Sequence, residues 1–199
     1  MKKSFIILLF FVLSSIISAQ EITKIDSLKN KLQAKVVDTT KVSIHLKIAN
    51  LYSKSNKDSA INYYRHALEL ATKINSKPQI AEIFYKTGIF YKNKHEYENA
   101  IKNYFKATKA FEELNNLSKQ AKIYNYIADC YKQLYVDDKA INYYLKSLSI
   151  NRSIEDEAGI AMNYLAFGDL FYSQENYTSA NKYFKDASDL YLKKGDKNG

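Results

Sequence analysis

AINYYRHA at residues 60–67, AIKNYFKA at 100–107, AINYYLKS at 140–147 and ANKYFKDA at 180–187 are versions of one phrase set forty residues apart. A fixed period of this length marks units too small to bury their own apolar face, which bury it against neighbours instead. Within the phrase, Tyr64, Tyr104, Tyr144 and Phe184 stand four residues after the leading alanine. Ala67, Ala107, Ser147 and Ala187 stand seven after it. That spacing draws one stripe along a helix.

Upstream of each alanine lies a second stripe. Twelve residues before come Ile48, Gly88, Ala128 and Gly168, nine before come Leu51, Tyr91, Tyr131 and Phe171, and sixteen before come Ile44, Phe84, Tyr124 and Tyr164. Small residues let two backbones approach while rings fill the space opposite them, as two packed antiparallel helices require. The spacing predicts helices at about 38–53, 57–74, 78–92, 96–114, 118–133, 137–153, 157–173 and 177–194. Asn56, Asp137 and Asn176 are expected to cap helix N-termini, and Pro78, the only proline, suits a first turn. A further helix at about 22–35, with Ile22, Ile25, Leu28, Leu32 and Val36 at helical spacing, is expected to cap the open face of the first unit.

The chain opens with Lys2 and Lys3, the apolar run Phe5 to Leu13, and Ile16-Ile17-Ser18-Ala19, which reads as a secretory signal cleaved after Ala19. A spanning helix needs about 20 apolar residues, and this run is about 13 even if extended to Ile17. No second such stretch follows, so the mature protein is expected to be periplasmic or secreted, without a membrane span. The formal charge is +9, two units of it from Lys2 and Lys3. Arginine occurs only at Arg65 and Arg152, so the clustered basic stripe of a nucleic-acid binder is missing. Cys130 is the only cysteine; it falls on a core position of the repeat and reads as a small buried hydrophobe.

These residues resemble the tetratricopeptide repeat family in a forty-residue variety, over about 38–194. Phe84, Gly88, Tyr91, Ala100, Tyr104 and Ala107 form the best unit; Ile44, Ile48 and Leu51 depart most from the pattern. The resemblance implies an all-α, right-handed superhelical solenoid of antiparallel helix pairs, with about four repeats (38–76, 77–116, 117–156, 157–194) behind an N-terminal capping helix at 20–37. Asp38-Thr39-Thr40-Lys41 and Ala67-Leu68-Glu69-Leu70-Ala71 also look like the extracytoplasmic repeat arrays of Bacteroidetes-like sensor proteins. On that resemblance the alternative function is a truncated sensory domain of a histidine-kinase or transcription-regulator protein.

The last phrase leaves Ala180, Tyr183, Phe184, Ala187, Leu190 and Tyr191 facing no following helix, with Gly195 expected to end the helix in a left-handed turn. The tail, 195–199, reads as the start of a fifth repeat, so the chain is expected either to be a piece of a longer protein or to self-associate through this end.

Chemistry is not legible. His45, His66 and His95 have no ligands at metal spacing, no nucleophile has a recognisable setting, and neither enzyme activity nor a cofactor is expected. The family pattern places one groove on the first helices of the pairs, lined by His45 and Tyr52; Glu82, Tyr85, Ile89 and Lys92; Lys122, Asn125, Asp129 and Lys132; Met162, Leu165, Asp169 and Tyr172. Aromatic anchors and charges of both signs suit an extended peptide or a partner helix. Family members that clamp a terminal carboxylate use lysine and asparagine where this chain has His45 and Ala49, so that specificity is not expected here.

Overall fold

A computed structural model describes residues 20–196. The expected signal sequence and residues 197–199 lie outside the described residues. All regular structure among these is helical: α1 (20–33), α2 (Asp38–Ser55), α3 (Lys57–Lys73), α4 (Lys77–Asn93), α5 (Tyr97–Glu113), α6 (Leu117–Gln133), α7 (Asp137–Ser153), α8 (Glu157–Ser173) and α9 (Tyr177–Asp196). None of these helices is long and apolar enough to cross a membrane. Of the described residues, those up to Gln79 form one compact unit and those from Ile80 onward a second.

In the first unit α2 and α3 pack as a pair, and Ile25 of α1 is buried against Ile44 and Ile48 with Leu28 and Leu32 beside it. The capping stripe is shorter than expected. Ile22 is exposed, and Val36 lies beyond the end of the helix. A single residue joins α2 to α3: Asn56, extended at φ −145°, accepts the Ser59 amide at 2.8 Å through its side chain.

In the second unit consecutive helices pack in chain order from α5 to α9, and α6 also meets α8. Each small residue of a first helix receives a ring from the second. A methyl group added at Gly88 would lie 2.5 Å from the Tyr104 ring, and at Gly168 2.4 Å from Phe184. Ala100, Ala140 and Ala180 are buried at the same contacts, so the repeated alanine is a packing requirement.

From α3 through α8 every helix has 17 residues, and three residues separate each from the next. The middle linker residue is left-handed in every case: Asn75, His95, Asn115, Tyr135, Glu155 and Glu175, with φ between 52° and 61°. Each turn is closed by main-chain bonds, the linker's last amide reaching back to the carbonyl five residues earlier, as from Glu96 to Tyr91 and Val136 to Tyr131. This is the hydrogen-bond pattern that usually employs glycine. Tyr135, 92% exposed, gains no packing to offset its backbone conformation, which disfavours a side chain by roughly 1–2 kcal/mol. Tyr135→Gly is therefore expected to stabilise the fold by about 0.5–1 kcal/mol after glycine's greater entropy loss, read as a raised urea midpoint at unchanged slope.

The caps differ in part from expectation. Asn56 and Asn176 do cap, Asn176 accepting the Ser179 amide at 3.1 Å. Asp137 is instead the first residue of α7, where its charge meets the positive end of the helix dipole, and Val136 at the cap makes no side-chain bond. Asn116 and Asp156 are caps as well, each accepting an amide at 3.0 Å. At the other end α9 continues past Gly195 to Asp196, with no left-handed glycine among the described residues.

Candidate functional site

The expected groove residues divide between the two units. His45 and Tyr52 belong to the first, where they are half-buried beside Tyr63 and the exposed His66. Tyr52 and Tyr63 stack at 5.7 Å between ring centres, and His45 meets His66 edge-on at 5.7 Å. The buried Nδ1 of His45 has no hydrogen-bond partner; burial, then the nearby His66, lower its pKa. A separate recess of about 500 Å³ between α1 and α2 is lined by Glu21, Lys24, Leu28, Lys47, Asn50, Leu51 and Lys54.

The other twelve lie on α4, α6 and α8 of the second unit, and several are consumed in joining one helix pair to the next. Lys119 of α6 bonds Glu82 at 3.0 Å and sits 4.6 Å from the Tyr85 ring centre. Tyr85 itself is buried and stacks on Tyr126 at 6.0 Å. Lys92 pairs with Asp129 at 2.8 Å and lies over the Tyr126 ring at 4.6 Å, while Asp129 also accepts the Tyr144 hydroxyl at 2.8 Å. Asn125 accepts from the fully buried Asn163 at 2.7 Å, which in turn accepts from buried Asn151 at 2.7 Å. Glu82, Tyr85, Lys92, Asn125 and Asp129 thus hold the stack in register. Ile89 packs on the apolar cluster around Tyr104.

Free to meet solvent are Lys122, Met162, Leu165, Asp169 and Tyr172, with Lys132 half-buried. A cleft of about 660 Å³ opens among Lys92, Asn93, His95, Tyr97, Asp129, Lys132, Gln133 and Asp169. Of these, Asn93, His95, Tyr97 and Gln133 were not among the expected groove residues; His95 and Tyr97 belong to a turn and a second helix, and they bond each other at 2.8 Å. Lys119 and Tyr126 were also missed. The signal for Lys119 is an offset slightly shorter than the repeat, shared with another tie: Glu82–Lys119 and Lys92–Asp129 both span 37 residues.

Cys130 is buried in the core, as its repeat position predicts. Burial, helped by Asp129 and opposed by Lys92, pushes its thiol up to about 12, which leaves it unreactive. No group of three His, Cys, Asp or Glu side chains among the described residues could hold a metal.

The tyrosines of the repeated phrase differ in one respect. Tyr64 donates to Asn50 at 2.6 Å and Tyr144 to Asp129, but the buried Tyr104 hydroxyl has no partner. The position that supplies Asp129 to Tyr144 is Ile89 in the preceding pair. Tyr104→Phe is expected to stabilise by about 1 kcal/mol, because it deletes a desolvated, unpaired hydroxyl. Tyr144→Phe should destabilise by roughly 1–2 kcal/mol, since it deletes a bond to a carboxylate. Opposite shifts in the two thermal midpoints are the expected reading.

Two family models match the chain, soluble NSF attachment protein over residues 29–155 and tetratricopeptide repeat over 119–193. The chain is a tetratricopeptide-repeat protein. By the longer match it also belongs with the soluble NSF attachment protein family; attachment to NSF is a property of those named proteins and is not carried to this one. No curated protein matches the sequence.

Among solved structures, the repeat protein is similar to a signal-transduction ATPase with a tetratricopeptide repeat sensor from Pyrococcus horikoshii (TM-score 0.78, 20% identity, covering 89% of this chain and 28% of that one). It is similar to BtubC from P. vanneervenii (TM-score 0.71, 18% identity, 85% of this chain and 71% of that one). It also resembles a Rap protein crystallised with Competence and Sporulation Factor (TM-score 0.68, 16% identity, 90% of this chain and 52% of that one). The chain therefore spans about a quarter of the first and half of the last. At these identities the likeness is one of fold.

Proposed function

We propose that this protein is a binding scaffold for a protein or peptide, with no chemistry of its own, acting through the α4–α6–α8 face of its second unit. The observation that carries this reading is the division of labour on that face. One set of side chains is locked into ties between helix pairs, which fixes the surface before any ligand arrives. A second set is left open: Lys132 and Asp169 line the 660 Å³ cleft, and Lys122, Leu165 and Tyr172 are exposed on the same helices α6 and α8. A preorganised surface with aromatic, aliphatic and charged groups suits a segment that loses its own freedom on binding. The complex of a similarly folded Rap protein with Competence and Sporulation Factor supports the reading by analogy. The N-terminal Lys2-Lys3 and apolar run support a site of action outside the cytoplasm.

The test is capture from the native envelope fraction by the chain from Gln20 onward, compared with a Lys122→Ala, Lys132→Ala, Leu165→Ala, Tyr172→Ala variant. These four avoid the residues that tie the stack, so the variant should keep the parent's helical signal and melting point. A partner retained by the parent and lost by the variant is the expected result. A partner retained equally by both would move the site elsewhere.

A further inference from the structure

The second unit contains the same charged pair twice, once closed and once open. Lys92 and Asp129 stand eight and eleven residues before Ala100 and Ala140, and their heads meet at 2.8 Å. Lys132 and Asp169 stand eight and eleven residues before Ala140 and Ala180. They occupy the same register one repeat later, and both line the 660 Å³ cleft. Among the described residues neither has a hydrogen bond or an ion pair.

The sequence supplies the reason. The closed pair is held from both sides, Lys92 by the Tyr126 ring beneath it and Asp129 by the Tyr144 hydroxyl. One repeat on, the residue equivalent to Tyr126 is Ala166 and the residue equivalent to Tyr144 is Phe184. Both supports are removed together while both charges are kept. A half-buried ammonium and an exposed carboxylate are left facing one cleft, with the neighbouring Lys92 and Asp129 already satisfied by each other.

We propose that Lys132 and Asp169 form the specificity element of the groove and accept a peptide segment that carries one cationic and one anionic side chain close together. This rests on the scaffold reading above and adds the ligand's charge pattern to it. A ligand with two like charges would pair with one of these groups and be repelled by the other. A neutral ligand would cover both without pairing either, which selects against it.

The probes are three capped pentapeptides, acetyl-Gly-Lys-Gly-Glu-Gly-amide and its Lys/Lys and Glu/Glu counterparts, titrated at low salt into the isotopically labelled chain from Gln20 onward and followed by amide NMR shifts. The mixed peptide should bind at least tenfold more tightly than either like-charged one, with shifts centred on residues 129–133 and 166–169. Lys132→Gln and Asp169→Asn should each erase that preference. So should Ala166→Tyr with Phe184→Tyr, which restores ring and hydroxyl, closes the pair and leaves the charge unchanged. Equal binding of all three peptides, or shifts centred elsewhere, would overturn the proposal. If such a result accompanies intact groove-dependent capture from the envelope fraction, the charge pattern alone is wrong. If capture also fails to depend on the groove, the scaffold reading falls with it.

Discussion

Ala100→Glu is expected to abolish cooperative folding of the second unit at neutral pH. Ala100 is fully buried in the cluster formed by Ala81, Tyr85, Tyr104, Ala107 and Phe111. The side chains packed there are apolar, and Lys119, which lies over Tyr85 and Phe111 at the edge of the cluster, is already paired with Glu82, so a carboxylate placed there loses water without gaining a free cation. An unpaired buried charge costs roughly 3–5 kcal/mol, and overpacking adds about 1–3 kcal/mol. A domain has about 5–15 kcal/mol in total. The sign of the pH dependence identifies the cause. Burial raises the folded-state pKa of the new carboxyl above its unfolded value, so the folded state binds the extra proton and stability falls as pH rises through that interval. Circular-dichroism melts should therefore show the variant less impaired at pH 5 than at pH 8. A melt matching the parent's at pH 8 would mean that the repeated alanine is not a packing position.

Gly168→Val is the second large effect, at about 3 kcal/mol of lost stability. Its Cβ would fall 2.4 Å from the ring of Phe184, a half-buried side chain on α9. Phe184→Ala alone should also destabilise, by roughly 1–2 kcal/mol, through the apolar contact with α8 that it removes. The two together should cost less than their sum, because each relieves the other's defect. Strict additivity in urea unfolding would show that glycine and ring do not oppose each other. The third pair accommodates Ala128 against Tyr144, so the glycine is a local fit between partners and can be traded when the partner moves with it.

The helical architecture was readable because its determinants are periodic. Alanine, ring and small residue recur at fixed offsets, and each offset corresponds to a contact seen between helices. The caps were readable only where a side chain is unambiguous. Asp137 has the right chemistry one position too late, and Asn116 was hidden in a run of two asparagines whose register only the left-handed Asn115 settles. Gly195 carried the usual signal for a helix end, yet α9 runs through it.

The candidate groove was readable as a set of positions on the first helices and not as a set of roles. Family spacing identifies which residues face outward from the first helices, but it cannot distinguish a lysine that ties two pairs together from one left open. Lys92 and Lys132 occupy identical slots. Their difference lies in Tyr126 against Ala166 and Tyr144 against Phe184, residues that belong to neighbouring elements. Buried Tyr85 was misjudged for a similar reason, since Tyr126 of the next pair covers it.

The six left-handed turns are fastened by main-chain groups, so the identity of their residues is weakly constrained: asparagine, histidine, tyrosine and glutamate all occupy the same backbone geometry. Side chains at these joints can diversify without altering the length or pitch of the helices they connect. One of these joint residues, His95, lines the cleft together with Lys92 and Lys132. Under the proposed reading, recognition at this edge can be rewritten residue by residue, by drift or by design, on a frame whose closure does not depend on what is written there.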